Sequence, residues 1–366
     1  MSDVYKMTMI CLNSNRGLDD SISSLNIKIF REEFYDWRTY MDISSIVSVR
    51  NIRSNDAFMK IVYEWEDYIS EAYNLPIHLI ENQNRFIFKL KRKYKNLFSK
   101  RIKRNESIEL AFVIHPCDLR YYFNKNCIFV FIDIWPDDEK GLVRRMGKKT
   151  PFFVTSLDVY EHFKLKFNMN NVYYMPLSIS DVWKLKKVPE KRIDLVQIGR
   201  KNEILHNFAI RYVKENPQVD YVYSDMNWTM DRRIYTSTKY GAFGDVDTRD
   251  DYMNLLKESK ICVLSSPGVD GSRPQCKDMD YPTPRFYESA INYCHMVGRY
   301  SDNEEFKMQK IPNVCMKVDT YEDFKQYVNQ ILKGGYSFPV DKWDEFINLH
   351  LTSKWYSDFL KKCEGL

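Results

Sequence analysis

The chain has 366 residues, beyond the ~250 to 300 at which one hydrophobic core usually stops growing, so two domains are expected. With 44% hydrophobic and 29% charged residues it reads as a globular chain and not a disordered one. Its 55 basic and 50 acidic side chains leave a formal charge of +5, too balanced for a general nucleic-acid binder.

Residues 7–12 form the first short apolar run that reads as a buried strand. Residues 20–105 carry the weakest pattern, although 56–73 has helical spacing. Between Lys89 and Arg104 nine of sixteen residues are basic and none is acidic, with Leu90, Tyr94, Leu97, Phe98 and Ile102 interleaved. Such a stretch either lies on an anionic membrane surface, contacts a phosphate-bearing acceptor, or is a solvated helix face. Strands follow at 108–115 and 127–133, closing on His115 and Asp133, with Trp135 just beyond. If these strand ends face a cleft, His115, Asp133 and Trp135 are acceptor-side candidates, the indole stacking on a sugar ring, whereas a strand-end histidine is more often structural. A strand at 152–156, a helix at 156–168 and a strand at 172–177 complete a first α/β domain, placed at 1–187. The short, charged, proline-containing stretch 186–192 is read as the linker.

From there strands at 193–199, 219–224, 240–244, 261–266, 295–300 and 313–318 alternate with helices at 203–215, 249–259, 285–293 and 321–333. That is the pattern of a parallel sheet covered by helices, a Rossmann-like second domain placed at 188–340. Its first strand ends in Ile198-Gly199-Arg200-Lys201, where backbone N–H groups and two cations at the start of a helix suit an anion. The loop lacks the G-x-G-x-x-G of dinucleotide binders, and the alternative is a pair of surface charges. Phe243-Gly244-Asp245-Val246 closes another strand, as a ligand-facing end or as an ordinary turn before a helix.

The segment 261–300 is the most informative. A buried strand ends at Ser265-Ser266, a loop rich in proline, glycine and aspartate follows, and Thr283-Pro284-Arg285 opens a helix. Asp280 and Glu288 stand eight residues apart, one on the loop and one about a turn into the helix. Two carboxylates so placed can hold different hydroxyls of one elongated, polyhydroxylated ligand, as in a sugar nucleotide. Glu288 can instead pair with Arg285 one turn earlier, an exposed contact worth about a few tenths of a kcal/mol. Residues 341–366 hold apolar positions at mixed helical spacing, read as one or two helices crossing both domains.

The eight cysteines form no C-x-x-C pair and read as reduced core residues. No apolar run approaches the ~18 residues of a membrane span and no signal pattern is visible, so the cytoplasm, or the inner face of the cytoplasmic membrane, is the expected location. No metal site is expected: the D-x-D segments Asp245-Val246-Asp247 and Asp278-Met279-Asp280 are the only reminders of metal-dependent transferases.

In order, "IGRKNE", "AFGDVD", "YMNLLKESKICVLSSPG" and "PTPRFYESAINYCHMVG" resemble the C-terminal domain of GT-B glycosyltransferases, especially the retaining group 1 (family 4) type and its spore-maturation-protein-like relatives. The likeness spans about residues 150–320. It implies two Rossmann-like domains facing a central cleft, with C-terminal helices crossing back to the first domain. By the same resemblance Arg200 and Lys201, after Gly199, hold the donor diphosphate, and Phe243, Gly244, Asp245 and Val246 lie beside the nucleobase. Glu288 takes the ribose and Asp280 the donor sugar, with Ser265, Ser266, Thr283, Pro284 and Arg285 lining the donor site. Asp280 stands where the family has Glu, and 267–279 is an insertion. "FFVTSLDVYEHFKLKF" and "NVYYMPLSIS" resemble the end of the acceptor domain, while the family's Gly-rich loop is reduced to Asn13-Ser14-Asn15-Arg16-Gly17.

The function so implied is sugar transfer from a nucleotide-diphosphate sugar to a glycan or lipid-linked acceptor. Retention and metal independence are expected, in bacterial surface polysaccharide or glycoconjugate synthesis, with no cofactor beyond the donor as co-substrate. The alternatives are a catalytically silent GT-B scaffold partner, a sugar-nucleotide epimerase on the same fold, and nucleic-acid binding through the basic stretch.

Overall fold

The structure, a computed structural model, describes residues 43–50, 60–80, 107–114, 126–147, 150–224, 234–271, 274–276, 279–334 and 338–364. The expected strand at 7–12, His115 and the whole basic stretch 89–104 lie outside the described residues.

The first lobe contains, in chain order, β1 (Ile43–Ser48), α1 (Lys60–Tyr73), β2 (Ile77–Leu79), β3 (Ile108–Val113), β4 (Cys127–Phe131), α2 (Glu139–Met146), β5 (Phe152–Val154), α3 (Leu157–Leu165) and β6 (Val172–Tyr174). Its strands form an all-parallel sheet of order β2-β1-β3-β4-β5-β6. All five residues of β4 are buried, as in a parallel strand covered on both faces. The helix expected at 156–168 begins where Ser156 accepts a hydrogen bond from Val159 N, and it stops at Leu165. Asn168 just beyond takes a left-handed φ of 49°. β1 and α2 were not legible in sequence: β1 lies in the weakly patterned region, and α2 is short and largely charged.

The second lobe contains β7 (Ile193–Gln197), α4 (Glu203–Glu215), β8 (Tyr221–Ser224), β9 (Ile234–Ser237), β10 (Gly241–Asp245), α5 (Arg249–Glu258), β11 (Ser259–Ser265), α6 (Pro284–Ile291), β12 (His295–Arg299), α7 (Glu304–Met308), β13 (Cys315–Lys317) and α8 (Tyr321–Lys333). The sheet order is β10-β9-β8-β7-β11-β12-β13. One expectation needs correction: the strand expected at 240–244 is not part of the parallel run. It is the edge of an antiparallel hairpin, β9–β10, laid against β8. The unforeseen β9 has only four residues, and Gly241, at φ 78°, supplies the left-handed step that ends the turn. Helix starts are set by side-chain caps: Asn202 for α4, and capping boxes of Thr248 with Asp251 for α5 and Thr320 with Asp323 for α8.

One face of this sheet packs Leu205, Tyr212, Phe324 and Val328 of α4 and α8. The other joins an apolar core continuous with that of the first lobe, from Ile46 and Phe129 through Leu264 to Phe286. Helices α9 (Val340–His350) and α10 (Thr352–Cys363) close the chain. α9 packs on α6 and α10 on α1. Their junction is tied to the segment between the lobes by Ile179 N to His350 O, 2.9 Å, and Thr352 N to Ile179 O, 2.9 Å. The six described cysteines are buried and form no disulfide with one another. Among the described residues no helix is long and apolar enough to cross a membrane.

Candidate functional site

In the second sheet the chain leaves β7 to one side for β8 and later returns on the other as β11, so the strand order reverses between β7 and β11. Loops leaving neighbouring strands in opposite directions open a crevice at their carboxyl ends, where open α/β sheets bind ligands. The bonds of Arg285, in the first turn of α6, locate that crevice. Its guanidinium donates to the carbonyls of Ile198 at 3.4 Å, Arg200 at 3.0 Å and Ser265 at 3.0 Å, and so caps both strand ends at once. Gly199 arches over it with φ 73°, its N–H donating to the Tyr235 hydroxyl at 3.2 Å. Gly199, Arg200, Ser265 and Arg285 therefore meet in one place.

Arg200 and Lys201 lead directly into the N-terminus of α4, capped by the Asn202 carboxamide on Leu205 N at 3.0 Å. The Lys201 ammonium lies 3.9 Å from Glu203 and 5.8 Å from the Tyr223 ring. The Lys201 ammonium and the first helical N–H groups thus put positive potential beside β7. Asn202 also donates to Asp270 at 3.0 Å, and Asp270 pairs with Arg299 through contacts of 2.6 and 2.7 Å. Burial works to raise the Asp270 pKa, but the bonds from Arg299 and Asn202 prevail and hold it below the usual carboxylate value.

Asp280 is buried with both oxygens engaged: Oδ2 accepts from Ser266 Oγ at 2.6 Å and Ser301 N at 3.1 Å, and Oδ1 from Gly268 N at 2.7 Å. Its own N–H donates to Asp158 in α3 at 2.9 Å, joining the lobes. Burial, followed by the charges of Glu161 and Asp280, pushes Asp158 up despite that bond. Gly268 is required here, because a Cβ would lie 2.3 Å from Met279 O and 2.8 Å from Asp280 Cβ. Gly268→Ala should therefore break the Asp280 clamp and cost about 1 to 3 kcal/mol in urea unfolding. An unchanged midpoint would mean that the loop yields without loss.

Glu288, one turn past Arg285, accepts from Arg249 Nη1 at 2.5 Å and from the Tyr252 hydroxyl at 2.6 Å. Arg249 in turn binds Glu64 of α1 through Nε at 2.8 Å and Nη2 at 3.2 Å. The short Glu288 contact to Arg285 weighed from sequence is thus replaced by a buried bridge between lobes. Thr283 precedes α6 without capping it, its hydroxyl buried and unbonded, and Pro284 fills the first helical turn.

On the facing lobe Asp133, just past β4, accepts from the Tyr281 hydroxyl at 3.4 Å, and the Trp135 ring lies 6.1 Å from that of Tyr281. Asp133 and Trp135, the two acceptor-side candidates within the described residues, thus face the segment that carries Asp280. Phe243 and Gly244 sit three strands away from β7 on the sheet edge, Phe243 exposed and Gly244 at φ 120°. Two antiparallel steps bring β10 back parallel to β8, so it ends on the crevice side, with Val246 buried before α5. A separate groove of about 510 Å³, lined by His295, Lys310 and Trp343, lies at the starts of β12 and β13, away from all these residues. Among the described residues no group of three or more His, Cys, Asp or Glu is arranged to hold a metal ion.

Arg249, Tyr252, Glu64, Gly268 and Ser301 were missed in sequence. Gly268 alone carried a local signal, as the glycine after Pro267 at a strand end.

No family model and no curated protein matches the chain. Solved structures do. A glycosyltransferase from Rickettsia africae superposes with a TM-score of 0.54 at 11% identity, covering 89% of this chain and 99% of its own. HepE from Anabaena, in complex with UDP, gives 0.52 at 9% identity, covering 89% and 100%. TarM gives 0.50 at 13% identity, covering 75% of this chain. The chain spans only 58% of TarM and 61% of the GtfA/B chain it matches. Two parallel-dominated sheets facing each other, with helices returning across both, are the two-lobed GT-B fold of these structures.

Proposed function

We propose that the protein is a glycosyltransferase that moves a sugar from a nucleoside-diphosphate donor to a glycan or lipid-linked acceptor held between the lobes. The convergence of the Gly199-Arg200 loop, the α4 N-terminus, Ser265 and Arg285 at the reversal point of the second sheet supports this most strongly. The demand of the reaction is charge control: breaking the bond between the anomeric carbon and the diphosphate leaves negative charge on the departing oxygen. In this reading Arg200, Lys201 and the α4 amides stabilise that charge. Retention without a metal follows from the resemblance: the acceptor oxygen bonds the anomeric carbon on the face the diphosphate leaves, and a diphosphate oxygen takes its proton. Glu288 holds the ribose diol and Asp133 and Trp135 meet the acceptor. Asp280, with both oxygens engaged, shapes the loop around the sugar. Bacterial surface polysaccharide or glycoconjugate synthesis in the cytoplasm is the setting proposed.

The test is thermal unfolding with UDP, GDP, ADP, CDP and their common sugar conjugates. HepE was solved with UDP, which makes UDP the first to try. A ligand held by the native state at one hundred times its Kd adds about 2.7 kcal/mol, a shift of several degrees. No rise with any of them would remove the donor site. A silent scaffold is the second reading, favoured by the three internal donors that hold the Asp280 carboxylate; it predicts nucleotide binding with neither sugar transfer nor donor hydrolysis.

A further inference from the structure

We infer that Arg249 is an inter-lobe positioning residue that makes recognition of the donor's ribose depend on Glu64, a carboxylate in the opposite lobe. This rests on the reading above that Glu288 holds the ribose diol. Each Glu288 oxygen accepts one protein bond, from Arg249 and from Tyr252. A carboxylate has about four acceptor positions, so two remain for a vicinal diol, provided the carboxylate plane is fixed. Arg249 fixes it only if its own fork is fixed, and that fork is held by Glu64 through Nε and Nη2. The side chains of Glu64, Arg249 and Glu288 are 15%, 12% and 4% exposed, so water is a poor substitute for any of them.

α1, which carries Glu64, packs on β1 of the first sheet, whereas α5 and α6 pack on β11 of the second. Any parting of the lobes draws Glu64 away from Arg249. Glu288 is then oriented by Tyr252 alone, and the diol loses its acceptor geometry. Closure and ribose recognition are in this way one equilibrium. A plain strut would look the same in the structure but would act on stability and not on discrimination between sugars of the nucleoside.

The experiment compares UDP with 2′-deoxy-UDP by calorimetry in the parent protein and in Glu64→Gln, Tyr252→Phe and Glu288→Gln, each first checked for a parent-like circular dichroism spectrum. The parent should prefer UDP, and Glu288→Gln should abolish the preference. Glu64→Gln should weaken UDP by about five- to tenfold while leaving 2′-deoxy-UDP nearly unchanged, although Glu64 touches no ligand. Tyr252→Phe should do the same to a smaller degree. Equal UDP affinity and equal preference in Glu64→Gln and the parent would overturn the coupling while leaving the donor site standing. A parent that binds both nucleotides alike would instead overturn the ribose role of Glu288, and the coupling with it.

Discussion

Replacing Arg249 by methionine should lower folding stability by about 3 to 5 kcal/mol, the range for breaking a buried ion pair by removing one partner. Methionine fills most of the volume, so the loss is electrostatic: Glu64 and Glu288 would be left facing one another across a largely dry interface. Two carboxylates so placed repel one another with no cation between them. The penalty is read from urea unfolding midpoints of the variant and the parent protein. A triple variant, Glu64→Gln with Arg249→Met and Glu288→Gln, should recover most of the loss, because it buries no uncompensated charge. A penalty under about 1 kcal/mol would show a bridge already screened by water.

Glu305 should impose a pH dependence opposite to that of most carboxylates. It lies in the first turn of α7 and reaches across the lobes, accepting from Leu157 N at 2.9 Å, Tyr174 Oη at 3.1 Å and Gln309 Nε2 at 3.0 Å. Burial outweighs the bonds from Leu157 and Tyr174, the charges of Asp158 and Asp280 add to it, and the pKa is pushed up to about 8 from an ordinary 4.5. The folded form thus binds a proton that the unfolded chain has released, and the associated stability is complete below pH 4.5 and disappears as pH rises through 8. At ~1.4 kcal/mol per unit the loss is on the order of a few kcal/mol. Glu66, pushed up to about 7 mainly by burial, titrates in the same window within the first lobe. Glu305→Gln should remove its own share of the slope between pH 5 and 9 and leave that of Glu66. An undiminished slope in the variant would show that Glu305 is ionised in the native protein.

The second lobe was the legible one. Helices over 203–215 and 321–333 match residue for residue, because their amphipathic runs begin at side chains that cap them and the strands between are short buried apolar runs. β9 escaped because four half-alternating residues next to a turn look like loop, and its absence from the reading made β10 seem parallel. Within the site, what one loop or strand end contributes could be read: Gly199-Arg200, Ser265-Ser266 and Arg285 do come together. What tertiary approach contributes could not. Arg249 and Glu64 are separated by 185 residues, and nothing local distinguishes them from other charged residues at helix starts. Asp280 was found as a carboxylate on the right loop, but its three internal donors, from Ser266, Gly268 and Ser301, are a property of the folded loop alone.

Trp355 and Phe359 of α10 complete the core of the lobe made first: the Trp355 ring lies 5.7 Å from Phe112 and 6.1 Å from Trp65, and Phe359 lies 4.8 Å from Phe153. On the ribosome these aromatic lids emerge only after the entire second sheet has been synthesised. The lobe that leaves the exit tunnel earliest is therefore sealed last, and until then its uncovered rings are a natural client surface for chaperones.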